Sequence, residues 1–150
     1  MKIVCKNKKA LFNYLIIDKY QAGIVLSGDE VKALRGATAS LEQAYAYIRD
    51  GEIFLMNFFI SQYSKAFMKK TDTTRRTRKL LMRRREIEKL AGTITRKGLT
   101  LIPLQAYFND RGLLKIDLAT AKHKQTINKK QEQKERDLDR ETMMNMKGQR

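Results

Sequence analysis

Short apolar runs with strand-like spacing dominate the first two thirds of the chain. Residues 13–20 (NYLIIDKY) and 23–26 (GIVL) are rich in β-branched and aromatic side chains and too short for an ordinary helix, so they are predicted strands. The period then changes. Ser27 followed three residues later by Glu30 is a capping-box pattern, and Val31, Leu34 and Gly36 supply an apolar stripe and a stop, which predicts a short helix over 29–35. Residues 45–49 and 52–57 flank Asp50 and Gly51, a pair that tolerates positive φ at both positions, and predict a tight hairpin. Residues 58–63 (FFISQY) continue as strand. Leu80, Leu81, Ile87 and Leu90 recur at helical intervals, so residues 80–90 are predicted to form a second helix, ended by Gly92. Strands follow over 93–96, 99–108 and 113–119, separated by Gly98 and by the turn NDRG at 109–112. Ile102, Leu104, Ala106 and Phe108 share one strand face, and Leu114, Ile116 and Leu118 another. Pro103, the only proline, has no N–H to give to a ladder, so its strand is expected at an edge or bulged there.

Short antiparallel strands with two small helices on about one domain's length of chain favour a closed barrel, because closure removes exposed sheet edges. The predicted fold is therefore mainly β with small helices, an antiparallel β-barrel of the oligonucleotide-binding type. It is predicted to occupy residues 1–118. Residues 119–150 carry nine bases, five acids and few large apolar side chains. Such a tail cannot bury enough surface to offset the entropy of ordering and is expected to be disordered when free. Glu132 stands four residues before Arg136, so the tail is also expected to become helical when a polyanion neutralises its lysines.

Charge turns this fold prediction into a functional one. The chain has a formal net charge of +16, and residues 69–85 hold nine cations (Lys69, Lys70, Arg75, Arg76, Arg78, Lys79, Arg83, Arg84, Arg85) against the single acid Asp72. A density like that is tolerated where it is solvated or faces a polyanion, and Arg in excess over Lys suits phosphate forks and exposed bases of folded RNA. The lone Cys5 has no disulfide or metal partners, and no apolar run reaches the length of a membrane span, so a cytoplasmic protein with no metal and no cofactor is expected. Catalysis needs a positioned nucleophile and base or paired carboxylates. Here the only histidine, His123, lies far from Cys5 in sequence, while Glu86 and Glu88 read as partners for neighbouring arginines, so the chain is not expected to be an enzyme. Among binding proteins two readings stay open on the residues alone: a receptor for folded RNA, and a single-strand binder that stacks bases on Phe58, Phe59, Tyr63 and Phe67. The same aromatics are also candidates for the core.

Six blocks decide between these readings. NKKA at 7–10, AGIVLSGDEVKALR at 22–35, RTRKLL at 76–81, EIEKL at 86–90, GLTLIPLQAYF at 98–108 and KERD at 134–137 resemble, in order, the SsrA-binding protein family, also called small protein B. The resemblance implies an RNA-binding partner of transfer-messenger RNA (SsrA) in trans-translation, the bacterial pathway of ribosome rescue. It implies binding to the tRNA-like part of that RNA and delivery to the small-subunit decoding centre of a stalled ribosome, with elongation factor Tu in the delivery complex. Carried over by position, the RNA-binding surface of the barrel would comprise Asn7, Lys8, Glu30, Lys32 and Arg35; Arg76, Arg78 and Lys79 of the basic run are added to it as candidates on their charge. Glu30 and its neighbours are expected on the exposed side, where a carboxylate accepts hydrogen bonds from bases or orients an arginine; capping the helix with Ser27 is the alternative. The family's tail motif, AKGKK followed by DKR, implies a segment that probes the empty mRNA channel. Here Ala121, Lys122 and Lys124 match it, while His123, Gln125, Asn128 and Lys130 replace Gly, Lys, Asp and Arg. The tail residues expected to meet ribosomal RNA are Lys122, Lys124, Asn128, Lys129, Lys130 and Arg136.

Overall fold

A computed structural model describes residues 1–36, 38–62 and 73–124. In chain order the elements are β1 (Lys2–Lys6), α1 (Ala10–Asn13), β2 (Tyr14–Ile24), α2 (Gly28–Gly36), β3 (Ala39–Ser40), β4 (Tyr45–Arg49), β5 (Glu52–Met56), β6 (Phe59–Ile60), β7 (Arg78–Leu81), α3 (Arg84–Lys97), β8 (Thr100–Phe108) and β9 (Leu114–His123). The protein is mainly β with few helices. Seven strands form one antiparallel sheet in the order β1-β8-β4-β5-β7-β2-β9, and β8 also pairs with β9, so hydrogen bonding returns from the last strand to the second. The short β3 and β6 form a separate pair.

Three features of this architecture follow directly from local chemistry. Asp50 (φ 53°) and Gly51 (φ 76°) make the left-handed turn that joins β4 to β5, as their residue types predict. Pro103 sits where the β8–β9 register shifts, between Pro103 and Gln105, so the missing N–H falls at a bulge in a strand paired on both sides. That shift also splits the face expected for β8. Ile102 packs with Ala10, Ala119 and Ala121 and with the half-buried Leu104, whereas Ala106 and Phe108 join the main core with Leu114, Ile116 and Leu118.

Elsewhere tertiary packing overrides local pattern. Where two strands were expected at 13–20 and 23–26, one long strand runs from Tyr14 to Ile24, paired to β9 along almost its whole length and to β7 at its end. Leu80 and Leu81 are strand, not helix: in β7 Arg78 and Leu80 are buried and Lys79 and Leu81 exposed, the two-residue period imposed by pairing to β5 and β2. The second helix starts later and runs through Gly92 and residues 93–96, which were expected as strand, because Ile94 extends the inward stripe of Ile87 and Leu90. Its stop is Gly98, left-handed at φ 61°. Gly92 remains in the exposed helix interior, where glycine costs about 1 kcal/mol against alanine, and a Cβ there would meet nothing within 4 Å.

Of the strand expected at 58–63, Phe59 and Ile60 are the described residues that pair, Tyr63 lying outside the described residues, and β1 and α1 had no sequence signal strong enough to predict them. At the other end β9 continues past the expected limit to His123, and Ala119, Thr120 and Ala121 are fully buried. The division at 118/119 therefore cuts through a central strand. The expected disorder and induced helix of the tail concern residues 125–150, which lie outside the described residues.

Cys5 is held half-buried on β1, and burial pushes its thiol up to about 11, with a backbone hydrogen bond at Ala106 opposing. Against the ordinary value of 9.0, that reduces the thiolate at neutral pH about 100-fold. Alkylation of the folded protein should accordingly be slower than that of the unfolded chain by about two orders of magnitude; equal rates in and out of urea would contradict this account.

Candidate nucleic-acid interface

The capping box at the start of α2 forms as its residue types require. The Glu30 N–H donates to Ser27 Oγ at 3.3 Å and the Ser27 N–H donates to Glu30 Oε1 at 2.9 Å. This reciprocal pair turns the Glu30 side chain back toward the body of the protein. The carboxylate then receives Arg76 Nε at 3.1 Å and Arg76 Nη2 on Oε1, and Arg78 Nε on Oε2. Arg78 is 0% exposed. Its remaining donors go to the carbonyls of Phe58, Thr73 (3.3 Å) and Thr74 (3.2 Å), and its guanidinium lies 5.5 Å from the Phe58 ring centroid. All three nitrogens of the Arg78 guanidinium are thus hydrogen-bonded inside the fold.

This cluster corrects the expectation for three residues. Glu30 is buried at 6% exposure and does not share the open face of α2; Arg78 is internal; Arg76 is half-buried with its fork on Glu30. Burial alone would raise the Glu30 carboxyl, but Arg76, the Ser27 N–H and Arg78 together hold it below the ordinary carboxylate value. Burial draws the Arg78 guanidinium down from its usual value, against the hydrogen bonds and charge of Glu30. The sequence held the signal for this pairing in an acid at the capping-box position and the arginine pair of RTR, yet 46 residues separate Glu30 from Arg76 and nothing local joins them.

Lys32 and Arg35 do lie on the exposed side of α2. The Arg35 guanidinium stands 5.3 Å from the Phe108 ring centroid and beside Gly112, so α2 places Arg35 at the turn end of the β8–β9 hairpin. Asn7 is half-buried and committed to structure: its N–H donates to Leu104 O (2.7 Å), its Nδ2 to Pro103 O (3.0 Å), and its own carbonyl accepts from Ala10 N (3.2 Å). These bonds seat the chain on the β8 bulge and project the exposed Lys8 outward. Lys79 is exposed and paired to Glu52 at 3.1 Å.

The tail cations divide. Lys122 is an exposed residue of β9, and Lys124 donates its N–H to Asn13 O (2.9 Å) and its Nζ to Leu11 O (3.1 Å), so both belong to the body. His123, expected as a solvated tail residue, meets the Tyr14 ring edge-on at 4.8 Å between centroids. Asn128, Lys129, Lys130 and Arg136 lie outside the described residues, as do Gln125, Lys69, Lys70 and Asp72. The aromatic platform loses its first member because Phe58 is fully buried; Phe59 is half-buried beneath Arg75, whose guanidinium is 5.2 Å from the ring centroid. Tyr63 and Phe67 lie outside the described residues.

Two concavities had no sequence signal, because each is built from segments far apart in the chain. One, of about 430 Å³, is bordered by Asn7, Asn13, Tyr14, Gln43, Tyr45 and His123. The other, of about 420 Å³, lies between β2 and α3 and sets Lys19, Lys89 and Lys97 beside the carboxylates of Asp18 and Glu86. Among the described residues no group of His, Cys, Asp and Glu is placed to hold a metal ion, and no helix is long and apolar enough to cross a membrane. The exposed Lys8, Lys32, Arg35 and Lys122 offer cationic, hydrogen-bonding chemistry suited to phosphate, ribose and base edges.

Comparison with known proteins gives this surface a context. A family model described as SmpB protein matches residues 4–148. The SsrA-binding protein of Rhizobium etli (strain CIAT 652) is 48% identical over 140 residues, covering 93% of this chain and 87% of the relative. That of Coprothermobacter proteolyticus is 44% identical over 141 residues, covering 94% of both chains. A solved structure described as "tmRNA-SmpB: a journey to the center of the bacterial ribosome" contains a chain with 41% identity and a TM-score of 0.66, over 81% of this chain and 85% of that one.

Proposed function

The chain belongs to the SmpB protein family, and on that premise we propose that it binds the tRNA-like part of transfer-messenger RNA and helps deliver it to stalled ribosomes for trans-translation. The ring of pairing completed by β8 and β9 supports reading the body as a barrel of the oligonucleotide-binding type. The observation that carries the functional reading is the outward face of α2: Lys32 and Arg35 stay exposed there while Glu30 is withdrawn to fix the helix on the body. Lys8 adds a cation from the N-terminal segment. Asn7 and Glu30 act here as positioning residues, and Arg76 and Arg78 secure the same helix from beneath. Residues 125–150 supply a cationic segment for the mRNA channel and decoding centre, with elongation factor Tu as a further member of the delivery complex, in a cytoplasmic setting.

The direct experiment is retention of transfer-messenger RNA from a bacterial lysate by the purified chain; recovery of bulk single-stranded RNA in its place would sink this reading. A second measurement locates the contact. Removing Lys32 and Arg35 together should weaken binding to a tRNA-like fragment and lower the slope of log K against log salt by about 0.7 to 0.9 for each phosphate no longer neutralised. An unchanged slope would move the binding surface off α2.

A further inference from the structure

The apolar run that opens β2 is covered on one side. A continuous stretch such as Tyr14-Leu15-Ile16-Ile17 is the pattern of a strand buried on both faces. Tyr14 and Ile16 fit that pattern and pack on Ile102, Ala119 and Ala121. Leu15 and Ile17, which alternate with them, do not. Together with Leu11 and Phe12 of α1 they are between 38% and 67% exposed, so four large apolar side chains are exposed within seven consecutive residues. Single exposures of this kind need no explanation, but a cluster does. The chain itself passes this place. Lys122 pairs with Leu15 at the end of β9, and Lys124 donates its N–H to Asn13 O (2.9 Å) and its Nζ to Leu11 O (3.1 Å), so residues 125–150 start at the rim of the cluster. Their large apolar side chains are Ile127, Leu138, Met143, Met144 and Met146. Methionine, unbranched and polarizable, fits irregular apolar surfaces. Charge matches as well. Residues 132–141 hold five acids against three bases in a chain of net charge +16, while the cluster is flanked by the exposed Lys19, two residues beyond Ile17, and Lys122, opposite Leu15.

We propose that residues 138–146 dock Leu138 and their three methionines on the surface formed by Leu11, Phe12, Leu15 and Ile17, so that the free protein holds its own tail against its body. Reach is no obstacle, because the chain from Lys124 to Leu138 spans about 45 Å when extended. The tether also sets an effective concentration on the order of 1 mM, so a weak contact suffices. The occupant is the chain's own tail and not a second copy, since two bodies of net charge +16 repel one another whereas the acidic stretch of the tail is drawn to Lys19 and Lys122. The docking is a property of the free chain; its consequence rests on the reading that residues 125–150 act in the mRNA channel. A docked tail cannot enter the channel, so the apparent affinity for an empty ribosome is reduced by the fraction of molecules whose tail is released. The contact thereby keeps a cationic tail from wandering onto other RNA until the ribosome competes for it.

The test uses the full chain and two variants of it: Leu15→Thr with Ile17→Thr, which removes apolar surface while keeping residues that favour strand, and Met143→Ser, Met144→Ser with Met146→Ser. Methyl-labelled wild type should show NMR contacts between the methionine methyl groups and those of Leu15 and Ile17, unchanged on dilution. Both variants should lose these contacts, melt within a few degrees of wild type, and be cut by trypsin between Lys134 and Lys147 several-fold faster. The Leu15/Ile17 variant should also co-sediment with purified ribosomes several-fold more tightly, because its tail is always released. Wild type without the methyl contacts, cut at the same rate as both variants, overturns the proposal. Contacts found only between differently labelled copies overturn it too, since they assign the surface to a second molecule. So does a Leu15/Ile17 variant that binds the tRNA-like fragment more weakly with trypsin cutting unchanged, which assigns the surface to RNA. Failure of the channel reading looks different: contacts and cutting rates behave as expected, upholding the docking, while the Leu15/Ile17 variant binds ribosomes no more tightly than wild type.

Discussion

Replacing Glu30 by alanine is expected to cost about 3–5 kcal/mol, because it strands the guanidinium of Arg78 inside the fold without its counter-charge. Against a typical domain stability of about 5–15 kcal/mol, that removes between about a fifth and all of the margin. The penalty comes from the partner left behind more than from the ion pair itself. Changing Glu30 and Arg78 together to methionine should therefore cost less than Glu30→Ala alone, although the carbonyls of Phe58, Thr73 and Thr74 are then without that donor. Urea denaturation of the two variants checks this; a double variant less stable than Glu30→Ala would contradict it.

Acid adds an independent arm. Glu30 has a folded-state pKa below the ordinary carboxylate value of about 4.3. Its contribution is therefore fully present above that ordinary value and is lost as pH falls through the lower, folded value. The wild type should lose stability across that acid window more steeply than Glu30→Gln. The same variants separate a structural Glu30 from an RNA-contacting one, since with Glu30→Gln the RNA affinity per folded molecule should stay near wild type. A large drop in affinity with an unchanged melting point would restore the direct role at the RNA.

What the residues disclosed in advance was chiefly what short-range chemistry dictates. The Ser27–Glu30 capping box, the Asp50–Gly51 turn, the bulge at Pro103 and the hairpin around residues 109–112 each depend on a few neighbouring residues, and each appears where expected. The errors lie where distant segments meet. Leu80 and Leu81 fit a helical spacing until β5 and β2 are seen to flank them, and Gly92 looks like a stop until Ile94 is seen to continue the buried stripe. At the candidate interface, the resemblance carried by the block at 22–35 pointed to Lys32 and Arg35, and both are exposed. Glu30 misled because a carboxylate on a cationic helix reads equally well as a base acceptor or as the anchor of two arginines, and only hydrogen bonds made 46 and 48 residues away distinguish them.

The position of the last strand changes what a truncation should do. Cutting after Leu118 would remove Ala119, Thr120 and Ala121, which are fully buried and pair with β2 on one side and with Thr100 to Ile102 of β8 on the other. It also removes the Thr120 hydroxyl that accepts from Asp18 N–H at 3.2 Å and the main-chain bond from Lys124 to Asn13. That protein should fail to fold, and an absence of RNA binding in it would say nothing about the tail. Cutting after Lys124 keeps β9, the edge-on packing of His123 against Tyr14 and the Lys124 bonds to Leu11 and Asn13. The shorter chain should melt within a few degrees of the full chain, because β9 and its pairing to β2 and β8 are retained, and should bind the tRNA-like fragment with nearly full affinity. If residues 125–150 act in the mRNA channel, peptide tagging on stalled ribosomes should nevertheless be abolished. A chain ending at Lys124 that tags normally would remove the channel role, and one in which fragment binding and tagging fall in equal measure would show that body and tail do not act separately.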